Sequence, residues 1–252
     1  MSNIVYSGDI SIPFGMSEDN QIETLKLTQR YGQNAALIIG NPGTGKSILL
    51  QTLILNASKK YTSDELNMYL IDFSGTELNR YHKLPHVKEI VSEATRDRGV
   101  SVLDALYLES IKRIELCRTY GANSILELKA DNPSLNIPFL LLIVDEFETL
   151  FNGEKDIISQ RAEVTIYDLI IKCRKLGIFL ILSTQRLLLT SPLLKEYIAN
   201  RIVFASRPND FSAMITLPIE SKMPQLKVGE CIYNTMSGVS NNHKVKIFNI
   251  TE

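Results

Sequence analysis

The chain has 252 residues, 44% of them hydrophobic, and a formal net charge of −1. That length and apolar content suit one large α/β domain, and the near-neutral balance carries no global signal for nucleic acid, although a local basic face stays open. Cys117, Cys173 and Cys231 are isolated, and His82, His86 and His243 have no metal-ligand spacing, so a disulfide scaffold and a zinc site are both disfavoured; no apolar run nears the ~20 residues that span a membrane.

Residues 1–34 read as an N-terminal lead-in that packs on a core domain over 35–252. Within it, Ile10 to Phe14 suggests a short edge segment, because Pro13 cannot donate to a central ladder. Leu25 to Tyr31 looks polar, with few anchors. Ala35 to Ile39 is then a purely apolar run, which predicts a buried strand. It leads into Gly40-Asn41-Pro42-Gly43-Thr44-Gly45-Lys46-Ser47, which has the spacing of a phosphate-binding loop. Ile48, Leu49, Leu50 and Leu53 open a helical pattern behind it. The chemistry follows from the residue types. Glycines at 40, 43 and 45 remove the Cβ atoms that would block a tight loop with inward N–H groups. The helix start adds free donors and the positive end of its dipole. Lys46 would reach the β- and γ-phosphates of ATP, and the Ser47 hydroxyl would bind Mg²⁺.

Further along, Met68 to Asp72 predicts a second buried strand, with Asp72 as a structural cap at its end. Ile90-Val91 is a short strand. Ser101 to Arg118 is helical by spacing, with Leu103, Leu106, Ile111 and Ile114 on one face. Phe139 to Val144 is the most apolar run in the chain, so it predicts a central parallel strand covered on both faces. Asp145 and Glu146 follow at once. A carboxylate at the C-terminal end of such a strand can hold Mg²⁺ through water, and Glu146 is placed to polarise an attacking water. The bland alternative is a solvated acidic pair.

Ala162 to Lys175 predicts a helix with Val164, Ile166, Leu169, Ile170 and Cys173 on its apolar side, ended by Gly177. Ile178 to Leu182 is another central strand, and Gln185 just beyond it suits a γ-phosphate sensor, since an amide both donates and accepts. Ser191-Pro192 suggests a short helix start. Ile202 to Ala205 is a further strand, and a hairpin around Ser237-Gly238 closes the chain. By spacing alone, Arg174 and Arg201 are candidates for a charge lent to a neighbouring subunit, and surface arginines otherwise. His86 reads as a loop histidine.

Several of these pieces together resemble the FtsK/SpoIIIE family of ring-forming ATPases. They are Leu70-Ile71-Asp72 with Leu84-Pro85-His86-Val87, Ile143-Val144-Asp145-Glu146-Phe147, Lys172-Cys173-Arg174, Ser183-Thr184-Gln185-Arg186, Arg201 to Phe204, and Gly229 to Tyr233. The resemblance implies a RecA-like P-loop core with a mostly parallel sheet, working as a hexamer or a chain of modules. It also implies that Arg174 reaches an adjacent subunit's ATP. Asp72-Phe73-Ser74-Gly75 and Arg186-Leu187 depart from the Asp-Pro-Lys and Gln-Arg-Pro of DNA-pumping members, and the residues after Tyr233 are too few for a winged-helix DNA-reading domain. The pattern is more similar to the EccC/EssC branch of type VII secretion. That branch implies other modules or subunits and a secreted protein as partners, at the cytoplasmic face of the cell membrane. A double-stranded DNA motor and a docking module that binds ATP without turnover are the competing expectations.

Overall fold

The computed structural model describes residues 8–75, 77–92, 95–151, 156–187, 194–218 and 221–249. The Ser191-Pro192 helix start lies outside the described residues. Among the described residues ten strands form a single sheet: β1 (Ile10–Ser17), β2 (Ile22–Leu27), β3 (Ala35–Ile39), β4 (Leu66–Asp72), β5 (Val87–Ser92), β6 (Phe139–Asp145), β7 (Ile178–Thr184), β8 (Asn200–Val203), β9 (Glu230–Asn234) and β10 (His243–Ile247). Their order is β2-β1-β10-β9-β8-β3-β7-β6-β4-β5. From β8 to β5 every neighbouring pair is parallel, and from β8 outward to β2 every pair is antiparallel.

The parallel centre follows from composition. All residues of β3, β6 and β7 are buried, as runs of Leu, Ile and Val without polar alternation require. Among the described residues six α-helices connect and cover the sheet: α1 (Lys46–Lys60), α2 (Arg96–Tyr120), α3 (Ile125–Asp131), α4 (Ile157–Ile171), α5 (Leu194–Tyr197) and α6 (Pro208–Met214). The β3-α1-β4 and β6-α4-β7 crossovers run in opposite directions across the sheet. With right-handed connections, α1 and α4 therefore lie on opposite faces.

Ile10 to Pro13 have a strand partner in β2 alone, as the edge reading expects, and β1 is joined to β10 only through Gly15 to Ser17. Pro13 is tolerated there because the β1–β2 register shifts between Pro13 and Gly15, so a bulge absorbs the missing donor. Other expectations change. β2 carries real anchors, Leu25 and Leu27, both fully buried. Ile111 and Ile114 are 47% and 42% exposed. The buried stripe of α2 runs instead through Leu103, Leu106, Ser110, Arg113 and Cys117, at helical spacing but with two polar members that hid it. Val164 is 61% exposed on the outer face of α4. α4 also stops at Ile171, and a 3₁₀ turn over Arg174–Leu176 carries the chain to Gly177. The helix α3 has a local signal that composition reading passed over: Ser124 caps it, accepting from the Glu127 N–H at 3.1 Å.

Two buried polar groups tie this frame together. Arg113 donates to Leu176 O and Pro138 O, both at 2.7 Å, and so pins α2 to the starts of β6 and β7. Asp72 accepts from the Ser74 hydroxyl at 2.6 Å and from the N–H groups of Gly75, Glu77 and Leu78, each at 2.9 Å. Burial pushes its pKa up, but these donors outweigh burial and leave it lowered. Asp72→Ala should lose about 2–4 kcal/mol in urea unfolding, because three backbone donors lose a charged acceptor.

Candidate functional site

The C-terminal ends of β3, β7 and β6 lie side by side, and the loops leaving them converge on one pocket of about 350 Å³. Its lining includes Pro42, Gly43, Gly45, Lys46, Ser47, Asp145, Glu146 and Gln185. Ligands settle at this edge of open α/β sheets because the loops there are free to vary. Gly40, Asn41 and Thr44 complete the same loop over 40–47, behind the lining.

The loop is held open by specific contacts. The Asn41 N–H donates to Ala205 O at 2.8 Å, the Thr44 hydroxyl to Asn41 O at 2.7 Å, and the Gly229 N–H to Thr44 O at 2.9 Å. A Cβ on Gly40 would lie 2.7 Å from both Phe204 Cβ and Thr44 Oγ1, and Gly45 has φ +118° as the N-cap of α1. A side chain at either position would collide or strain the turn. The N–H groups of Lys46, Ser47 and Ile48 open α1, where a helix has no internal acceptors to offer them. This cradle fits a phosphate chain.

Lys46 is buried, and its ammonium donates to Gly40 O at 2.7 Å. Burial lowers its pKa, while Glu146, Asp145 and Glu148 push back. Asp145 is 3% exposed, and burial, helped by Glu146 and Asp72, raises its pKa to about 6. Asp145 and Ser47 both line the pocket, and a carboxylate beside a hydroxyl is a hard oxygen donor set that fits Mg²⁺. Glu146 sits at φ +56° as the N-cap of a 3₁₀ turn over Phe147–Leu150, and the Gln185 side-chain amide donates to its Oε1. The sequence candidates Lys46, Ser47, Asp145, Glu146 and Gln185 are thus brought together. Such a set can bind a triphosphate, neutralise its charge and polarise a water.

Comparison with known proteins agrees with this architecture. The FtsK/SpoIIIE family matches residues 6–188. The chain belongs to the FtsK/SpoIIIE family. It is 28% identical over 250 residues to the DNA translocase FtsK of Lactococcus lactis subsp. cremoris, covering 94% of this chain and 31% of that protein. It is 30% identical over 190 residues to the ESX secretion system protein EccC of Geobacillus thermodenitrificans, covering 71% of this chain and 12% of that protein. The chain therefore spans under a third of these relatives. The cytoplasmic domain of the Thermomonospora curvata type VII secretion ATPase EccC shares the fold with a TM-score of 0.79 at 22% identity, over 97% of this chain and 29% of that one. The RecA-like P-loop fold is common to them.

Within this FtsK/SpoIIIE chain, two arginines part company. Arg201 is 7% exposed and donates to Lys195 O at 2.6 Å, Met214 O at 2.7 Å and Ile198 O at 3.3 Å. Its donors are taken up by its own chain, so it is a clamp under β8 and not a group free to reach a neighbour. Arg174 lies before β7, at the opposite edge of the sheet from the pocket, with its guanidinium 5.6 Å from the Tyr31 ring centre. The seven residues of β7 separate the two by roughly 20 Å at ~3.3 Å per residue. Arg174 therefore does not touch its own chain's pocket.

Sequence reading passed over four residues that line the pocket, Ile48, Ser74, Glu77 and Val228, and one that stands behind it, Glu148. Ile48 and Val228, 40% and 69% exposed, form an apolar rim on the pocket. Glu148 is 8% exposed, and its Oε1 accepts from the Gln185 N–H at 2.8 Å. Burial raises the Glu148 pKa to about 7, against the pull of the Gln185 N–H and the Thr184 hydroxyl.

The raised carboxyls have a measurable consequence. Their protonated forms stabilise the nucleotide-free protein at pH values below the unfolded pKa near 4, and that contribution fades as pH climbs through about 6 for Asp145 and about 7 for Glu148. Binding of Mg²⁺ has the opposite sign, since it needs Asp145 ionised. Mg²⁺-dependent nucleotide affinity should hold at pH 8 and fall progressively below about pH 6. Calorimetric titrations at several pH values, with Asp145→Asn as the control that removes the step, would check it.

Proposed function

We propose that this chain is an ATP-binding, ATP-hydrolysing motor module of a type VII-like protein secretion system, of the EccC/EssC kind. It acts beside other modules or subunits, in a hexamer or a tandem array, on a secreted protein. Its station is the cytoplasmic face of the cell membrane, as a module of a membrane-anchored protein. Among the described residues no helix is long and apolar enough to cross a membrane.

The observation that carries hydrolysis is the meeting of Lys46, Ser47, Asp145, Glu146 and Gln185 around one pocket. The loop over 40–47 would cradle the phosphates, and Lys46 would exchange its bond to Gly40 O for phosphate oxygen. Ser47 and Asp145 would hold Mg²⁺, which neutralises charge on the phosphate oxygens when bound. Glu146 would orient and polarise the water, and Gln185 would sense the γ-phosphate. Arg174, at the far edge of the sheet, would complete the site of an adjacent subunit. The rim of Ile48 and Val228 would face the nucleoside.

The secretion branch is supported by Asp72-Phe73-Ser74-Gly75 and Arg186-Leu187, which lack the residues of DNA-pumping members. A double-stranded DNA translocase is the second reading, favoured by the match to FtsK over 94% of the chain. ATP turnover against protein concentration, with and without double-stranded DNA, separates them. Rates that rise with association and ignore DNA are expected. Stimulation by DNA that high salt abolishes would sink the secretion reading, because phosphate contacts carry that salt dependence. ATP binding without turnover at any concentration would leave a docking module.

A further inference from the structure

Glu148 is a buried carboxyl outside the nucleotide-binding motifs. Burying such a group costs free energy that an apolar residue of similar volume would not. What it makes is a contact to one end of β7. Its Oε1 takes the backbone N–H of Gln185 at 2.8 Å, and the side-chain amide of that same Gln185 donates to Glu146. The three residues form a chain in which Glu148 holds the backbone and Gln185 holds the acid. The geometry depends on Glu146 itself. Its φ of +56° turns β6 sharply into the 3₁₀ turn over Phe147–Leu150, which carries Glu148 back beneath Gln185. Among the described residues the Gln185 N–H donates to Glu148 alone.

We propose that Glu148 is a positioning residue for hydrolysis: it fixes the backbone of Gln185 so that the Gln185 amide is aimed at Glu146. The proposal rests on the reading of Glu146 as the group that polarises water. It assigns Glu148 no contact with the nucleotide.

The test compares the full chain with Glu148→Met, Glu148→Gln, Gln185→Ala and the double variant Glu148→Met with Gln185→Ala. Met keeps the volume and removes the acceptor, whereas Gln keeps an oxygen where Oε1 stands. Two quantities are read: hydrogen exchange of the Gln185 backbone amide, and kcat and KM for ATP. In Glu148→Met the Gln185 amide should exchange faster, and kcat should fall ~10–100-fold with KM within about twofold, the size expected for a misplaced catalytic group. Glu148→Gln should keep slow exchange and kcat within about threefold of the parent. In the Gln185→Ala background Glu148→Met should cost nothing further. A merely structural role would lower activity equally in both backgrounds. Unchanged exchange in Glu148→Met, or losses that multiply in the double variant, would overturn the inference while leaving the ATPase reading intact. A parent chain that never turns over would overturn that reading first and the inference with it. Should Glu148→Met not fold, Glu148→Gln decides, since loss of either slow exchange or kcat in it contradicts the role.

Discussion

Glu146→Gln is expected to lower kcat for ATP by ~10²–10⁴-fold, the contribution of a positioned general base, while leaving ATP affinity within about twofold. The reasoning is geometric. Glu146 borders the pocket but stands beyond the loop over 40–47 proposed to hold the phosphates, so removing its charge leaves the cradle untouched. An amide in its place keeps the size of the side chain and the contact to Gln185, and it loses the basicity that draws a proton from water. Lys46→Ala should behave in the opposite way, weakening ATP binding itself, because a charge-assisted contact to phosphate is removed. Direct binding of a fluorescent ATP analogue, paired with steady-state phosphate release, separates the two. If Glu146→Gln turns over ATP at the parent rate, Glu146 is not the water activator.

The second large effect belongs to Arg174. An arginine supplied to a neighbour's phosphates is worth ~10³–10⁵ in rate. Arg174→Ala should therefore remove nearly all turnover from the assembled form and leave ATP affinity of the monomer unchanged. The structure makes the cis alternative untenable, since the length of β7 stands between Arg174 and its own pocket. A mixing experiment gives a sharper readout than the single variant. Arg174→Ala retains an intact pocket, and Glu146→Gln retains an intact arginine. Mixed together, the two inactive chains should recover part of the parent rate at interfaces where a Glu146→Gln copy lends its arginine to an Arg174→Ala copy. No recovery at concentrations where mixed assemblies form would remove Arg174 from the site. Its stacking on the half-exposed Tyr31 ring gives the guanidinium a fixed starting position, so Tyr31→Ala should reduce the rate by a smaller factor than Arg174→Ala.

How much of this was legible in the chain depends on how local each signal is. The loop over 40–47 reads directly because its chemistry is contiguous: strand, glycines, lysine, serine and helix follow one another within one turn of chain. β3, β6 and β7 read equally well, since a strand covered on both faces leaves an unbroken apolar run. Asp145 and Glu146 inherit that clarity from the strand they terminate. α2 was legible in existence but not in orientation. Arg113 and Ser110 sit on its buried side, bonded to carbonyls, so the apolar residues alone point to the wrong stripe.

The amino-acid sequence by itself determined the nucleotide loop, the acid pair and the parallel centre, because those depend on residues within one strand and turn. Only the tertiary structure decided the rest. The N-terminal hairpin is joined to the sheet through the pairing of Gly15 with Ile247, a contact that leaves no local trace in either segment. Arg201 became a clamp on three backbone carbonyls, whereas Arg174 rests against the Tyr31 ring. Glu148 entered the site because a left-handed residue turned the chain beneath Gln185, 37 positions away. Short-range patterns register what a residue does to its own backbone, whereas the partner of a buried polar group is set by packing between distant elements.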